Sequence, residues 1–289
     1  MLTVAFFCLP ETLYVRNRIR PVPDQATSTK FTKASYAHRL RLWTRDPDLH
    51  LEAKQFVIPT VKMMRYPSVI FPALYLATQY GLASILPAVT VASIFTKFFG
   101  WNTLQIGLAY GAALTIGGSL GELAAGMVVD AIVKRERKKL GGRNPDPEVR
   151  LKAIWTGEIL VPAGLLIYGF TLTYRSLWIA PILGMGIACF GLQIITTTCY
   201  TYSIDCYRAE ASEVSQVFNF WRQEFGMTFA FYVIPMADKI GYQWVFFFFA
   251  VVGSVLGFIP ILGLMFRGKR VREWMGRPSG INAFDTDPA

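Results

Sequence analysis

Charge is scarce in this chain. Only 17% of its 289 residues are charged, against about 25% in a typical soluble domain. Histidine is nearly missing: His38 and His50 are the two present, and neither belongs to an H-E-x-x-H or H-x4-D pattern. A membrane-embedded metalloprotease or acyltransferase would need such a ligand set or nucleophile–base pair. The expectation is therefore no catalytic residue, no metal and no cofactor. The four cysteines, Cys8, Cys189, Cys199 and Cys206, lack any framework spacing, and three lie in or beside apolar runs. They read as small core residues rather than disulfide partners. Acidic residues are also few, 19 against 29 Lys and Arg, which leaves a net charge of +10. Nucleic acid is not the implied partner, because the basic residues flank hydrophobic runs instead of covering one face of a soluble domain.

What is abundant is apolar: 53% of residues are hydrophobic, 15% aromatic, and the mean hydropathy is +0.37. Six long windows carry this excess. Ser68 to Phe95 and Leu177 to Ile204 hold no charge, and neither does Gly241 to Phe266. Leu104 to Val129 holds only Glu122, Ile154 to Tyr174 only Glu158, and Val214 to Ala237 holds Arg222 and Glu224. Each exceeds the roughly 20 residues that cross a bilayer at about 1.5 Å per residue. Backbone groups in hydrocarbon must bond internally, so the windows are expected to be helices. The domain reading is residues 1–10 as the remnant of a preceding span, 11–66 as a polar, basic linker, 67–266 as a six-helix bundle, and 267–289 as a tail. Within the linker, Leu49 to Met64 reads equally as a surface helix and as a solvated loop.

Basic residues orient the spans. Twenty-five of the 29 fall before the first span, between the second and third, at Arg208 and in the tail, whereas Lys97, Arg175 and Lys239 fall on the opposite side. The positive-inside rule puts residues 11–66, residues 130–152 and the C-terminus in the cytoplasm. The expected location is a multi-pass membrane protein of the plasma membrane, with the lipid bilayer as its first partner.

Three spans carry polar residues at helical spacing. Tyr75 and Gln79 lie four apart in the first, with Tyr80 beside them. Gln193, Thr196, Thr197 and Tyr200 share one face of the fourth. In the fifth, Ser212, Ser215, Gln216, Asn219 and Gln223 share a face with Arg222 at its edge. An arginine near the bilayer centre costs at least about 2.5 kcal/mol, so it should face a cavity or a partner. The stripes suit either a substrate path or hydrogen bonds that hold the bundle. The path candidates are Tyr75, Gln79, Tyr80, Gln193, Thr197, Asn219, Arg222 and Gln223. The glycines of the second and fourth spans, Gly117 and Gly184 among them, are expected to allow close helix packing.

Three stretches resemble the major facilitator superfamily, in its fungal drug:proton antiporter-like branch. Gly126, Asp130, Lys134 and Arg135 have the G-x3-D-x3-K-R spacing of that superfamily's loop signature, with Ala131 and Val133 departing from it. Residues Pro10 to Tyr14 (PETLY) are similar to the end of a sixth helix in that branch. The stretch Tyr200 to Trp244, with Ser203, Asp205, Tyr207, then Ser212, Val214, Gln216, Phe218, Asn219, Phe220, Arg222, Gln223, Phe225 and Gly226, resembles its tenth-to-twelfth-helix region. The resemblance implies an all-α membrane protein: helices seven to twelve of a transporter, arranged as two inverted three-helix repeats. The first, second, fourth and fifth spans would then line a central path. It further implies alternating access for small organic molecules, often in exchange for protons, with Gly126, Asp130, Lys134 and Arg135 as a gate. The partner it requires is the N-terminal six-helix half, and the chain would begin inside a helix of the longer protein. For proton coupling, Glu122 and Glu158 lie toward the cytoplasmic ends of their spans. Glu224 lies about 130° around its helix from Asn219 at 100° per residue. None of the three stands out. A mitochondrial carrier would repeat P-x-[DE]-x-x-[KR] three times, and the pattern is missing. A non-transporting interaction protein derived from a transporter half stays open beside the transporter reading.

Overall fold

The computed structural model describes residues 53–143, 145–174 and 177–276. The expected helix remnant at 1–10, most of the 11–66 linker and most of the tail lie outside the described residues. Everything regular among those described is helical. Helix α1, Ala53–Met63, takes up the stretch for which surface helix and loop were equally open. It exposes Val57, Ile58 and Val61 and buries Met63.

Helix α2, Pro67–Phe99, starts with Pro67 in its first turn, where the missing N–H is harmless. It ends at Gly100, whose φ of 65° suits a residue without Cβ. A five-residue π turn, Gly81–Ile85, interrupts it. Helix α3, Thr103–Lys139, opens with a reciprocal cap: Asn102 Oδ1 accepts from Thr103 N at 3.0 Å, and Asn102 N donates to Gln105 Oε1 at 3.1 Å. At 37 residues it is about 55 Å long, well beyond the roughly 30 Å of a hydrocarbon core. Its basic end therefore projects past the apolar part. Gly126, Asp130, Lys134 and Arg135 are on this continuous helix and not in a loop. Nothing between Gly121 and Lys139 breaks a helix, and the chain turns only at Gly141 and Gly142, both at positive φ.

A short helix α4, Glu148–Leu151, leads into α5, Ile154–Thr173. Helix α6, Ile179–Cys206, follows, then α7, Ala211–Ile240, and α8, Tyr242–Met275. Among the described residues, five helices are long and apolar enough to cross a membrane, where six windows were expected. The one that falls short is α7. At 30 residues its length suffices, but Ser215, Gln216, Asn219, Arg222, Gln223 and Glu224 crowd its first half.

Helix α5 lies tightly along α6, and α3 packs on the other side of α6. The first contact is backbone to backbone at Gly164. A Cβ there would come 2.5 Å from Ala188 N and 2.6 Å from Gly184 O. Helix α8 covers α5, and α7 pairs with α2. Between these layers sit Tyr75, Tyr168, Tyr202, Phe218 and Phe246, all essentially buried. The Tyr168 and Phe246 rings meet edge to face at 4.8 Å. The outer face of α3 leaves Leu104, Leu108, Ile116, Leu120, Leu123 and Met127 more than half exposed. Apolar surface on this scale needs non-aqueous surroundings. The thiols of Cys189, Cys199 and Cys206 are free.

Candidate functional site

Helices α2, α6 and α7 bring six of the expected path residues to partly open surface and turn two inward. Tyr80, at the last position before the π turn, is half-buried. Above its ring, 5.0 Å from the centroid, lies the guanidinium carbon of Arg222 from α7. A cation over an aromatic face gains from the ring quadrupole, by about 0.5–2 kcal/mol depending on desolvation. The Nε of Arg222 is buried without a hydrogen-bond acceptor.

One turn toward the helix start, the exposed Asn219 accepts from the Tyr200 hydroxyl at 3.5 Å. The Tyr200 ring in turn leans on Phe218 at 4.5 Å. Thr197 donates to both oxygens of Glu122 at 3.3 Å, so the carboxylate of α3 faces the polar stripe of α6. Gln193 is half-buried on that stripe, and Gln223 is exposed. The stripe on α6 thus runs along the edge of the bundle, where Gln193, Thr196, Thr197 and Tyr200 are all half-buried and the residues between them buried.

Tyr75 and Gln79 point elsewhere. They are 2% and 1% exposed, and both reach Glu158 of α5. The Tyr75 hydroxyl donates to Glu158 Oε2. Gln79 Nε2 lies 3.4 Å from the same oxygen and 3.4 Å from the Gly253 carbonyl of α8. Sequence reasoning set Glu158 aside by its depth in the span. In the structure it faces two polar side chains of another helix. A lone charge in an otherwise uncharged window, matched by a polar pair in another span, was the available signal.

Asp130, Lys134 and Arg135 are exposed on α3, well away from these clusters along the sequence. Beside them, the same end of the bundle holds a set of ion pairs. Arg150 Nε meets Asp205 at 2.7 Å, Arg208 reaches Asp205 at 3.5 Å, and Lys152 meets Glu136 at 3.0 Å. Arg272 of α8 grips Glu148 with Nε and Nη2 at 2.9 and 3.0 Å. Three residues of the S-x-D-x-Y run find their places here. Ser203 donates to the Ser68 carbonyl at 3.0 Å, Asp205 takes Arg150, and Tyr207 packs edge-on to Tyr66 at 5.1 Å. Burial pushes the Tyr207 phenol up to about 12, so it stays neutral in the connector.

Comparison with known proteins finds relatives among fungal transporters. The chain is 28% identical over 220 residues to the efflux pump radE of Floropilus chiversii, covering 76% of this chain and 40% of the relative. It is 31% identical over 211 residues to the MFS transporter eqxG of Fusarium heterosporum, 73% of this chain and 41% of that protein. A longer match, 28% over 271 residues, joins it to the MFS transporter prlG of Fungal sp., 89% of this chain and 54% of the relative. The chain spans about half the length of the curated relatives it matches, and the matched part is their C-terminal half. No family model matches the chain, and no solved structure does.

Proposed function

From a chain related to fungal MFS transporters and efflux pumps, we propose that it forms the second six-span half of a transporter for small organic molecules. The observation that carries this is Arg222. It stands on a partly open face, stacked on Tyr80, with its Nε unpaired. Within a membrane such a group is tolerated where it faces water, a solute or a second protein surface. Asn219, Tyr200, Thr197 and Gln193 extend the polar face along α6 and α7. A first six-span half would close over this face, and the two halves would rock about it, exposing the site alternately to either side of the membrane. Helix α7 then crosses as the sixth span, its polar side turned to the path. Exchange for protons completes the proposed cycle. Asp130, with Lys134 and Arg135, serves as a gate contact at the cytoplasmic end and not as a solute ligand. A membrane protein that only binds partners would have no need of a continuous polar stripe spanning α6 and α7, so the transport reading is preferred.

The test is uptake into vesicles. Paired with a first half, the chain should give saturable uptake from a panel of organic cations, amines and acids, and Arg222→Ala should remove it. Asp130→Asn should slow turnover and leave apparent affinity within a few-fold. Saturable uptake by the 289-residue chain without any partner would overturn the half-carrier reading. Orientation has a separate check, which follows from the 25-to-3 charge asymmetry. A reporter inserted between Lys139 and Arg143 should read cytoplasm, and an extracellular signal there would reverse the topology.

A further inference from the structure

Where α2, α5 and α8 meet, an acid sits among neutral partners. Glu158 is the one charged residue in the 20 residues of α5, and it is 7% exposed. The groups around it come from three elements. Tyr75 and Gln79 face it from α2, Ser254 reaches it from α8, and Cys199 of α6 lies beside Tyr75. Among the described residues, no Lys, Arg or His forms an ion pair with it, and no second carboxylate faces it. The Tyr75 and Gln79 contacts both go to Oε2. The other oxygen, Oε1, is buried without a partner, and so is Oε1 of Gln79. Two residues already in contact therefore each hold a buried acceptor with no donor. A proton on Glu158 would turn one of those acceptors into a donor for the other. Without it, a buried anion is left with no cation beside it among the described residues.

We infer that Glu158 is a proton-binding site, taking one proton from water as –COO⁻ + H⁺ → –COOH and giving it back when the junction loosens. The site is joined to the polar face by sequence. Gln79 contacts Glu158, and the next residue, Tyr80, carries Arg222. The π turn that begins at Gly81 follows at once. Such turns disrupt the regular bonding of a helix and recur at functional sites. Loading Glu158 would fix Gln79, and with it the position of Tyr80 beneath Arg222. Unloading would free that segment to move. The link to solute movement rests on the transport reading, whereas proton binding rests only on the surroundings of the carboxyl.

Infrared difference spectroscopy on the purified 289-residue chain in lipid nanodiscs tests it. The expected result is a protonated carboxylic acid C=O band at neutral pH. It should shift in D2O, disappear reversibly at alkaline pH, and be lost in Glu158→Gln. Glu122→Gln and Glu224→Gln, which alter exposed carboxylates, should leave the band in place. Should Glu158→Gln fail to fold, Tyr75→Phe provides the second arm. Removing the hydroxyl that donates to Oε2 should move the band's frequency and midpoint without abolishing it. No such band, or one that persists up to the highest pH at which helical circular dichroism is intact, would overturn the proposal. A titrating band in a transporter whose uptake ignores a pH gradient would leave the proton site standing and refute proton coupling.

Discussion

Gly164→Leu should prevent the bundle from assembling. Position 164 is where α5 presses directly on the α6 backbone. A Cβ there would sit 2.5 Å from Ala188 N and 2.6 Å from Gly184 O. Both are backbone atoms of a packed helix, so neither can rotate away as a side-chain end would. The contact is reciprocal: a Cβ on Gly184 would sit 2.8 Å from Tyr168 N. A leucine at 164 therefore forces the helices apart along the whole crossing. Tyr168, Leu165 and Ala188, all buried here, would lose their contacts. Extra methylenes in an accommodating core cost about 1–3 kcal/mol. A clash against backbone should exceed that and consume most of the roughly 5–15 kcal/mol that holds a folded domain. Between membrane helices, where lipid is as apolar as leucine, this close van der Waals contact is a main source of association. Size-exclusion profile and thermal unfolding in detergent are the readouts. Gly107→Leu is the control, since nothing lies within 4 Å of the Cβ it would add, and it should shift stability by no more than about 0.5 kcal/mol. A Gly164→Leu protein that is monodisperse and melts like the parent would mean that α5 and α6 do not cross this closely.

Arg272→Ala should be the most damaging of the charge substitutions. Glu148 is only 9% exposed and is walled in by α8 at Gly268. Arg272 supplies both of its bonds, at 2.9 and 3.0 Å. Losing the guanidinium strands the carboxylate rather than merely deleting a contact. Removing one partner of a buried pair costs about 3–5 kcal/mol, whereas replacing both by apolar groups of similar volume can be neutral. Arg272 is itself about one-quarter exposed, with a side-chain exposure of 24%. Water can therefore reach part of the gap, and about 2–3 kcal/mol is the expected loss. The double variant Glu148→Leu/Arg272→Met should recover most of it. By contrast Lys269→Ala, whose 3.5 Å pair with Asp146 joins two side chains more than half exposed, should change stability by less than about 1 kcal/mol. Thermal midpoints of the four proteins in one detergent decide this. A double variant no better than Arg272→Ala would show that the packing of the arginine stem, and not the stranded charge, carries the effect.

That the chain is a series of long apolar helices was legible in sequence because crossing hydrocarbon imposes a length and a polarity on each segment. The sixth window, 214–237, is too polar along α7 to join the five apolar helices of the described residues. The windows 68–95 and 104–129 lie within one apolar helix each, and 154–174, 177–204 and 241–266 match helices to within two residues at one end. The stripe of Gln193, Thr196, Thr197 and Tyr200 was legible for a similar reason: a 3.6-residue period within one regular helix needs no tertiary information. Azimuth between helices was not. Tyr75 and Gln79 share a span with Tyr80 and looked like one polar group. Yet residues 79 and 80 differ by about 100° around the axis, enough to send one to Glu158 and the other to Arg222. Hydropathy could not say which way either turns, because that depends on how α5, α7 and α8 are rotated and seated against α2. The same holds for Asp130, which the resemblance put in a loop and which lies on an unbroken 37-residue helix. Sequence alone determined that this chain is a set of membrane-crossing helices with polar faces, since the bilayer acts on each segment separately. Only the tertiary structure decided which polar residues meet, since close packing is a property of pairs of helices and is written in neither one.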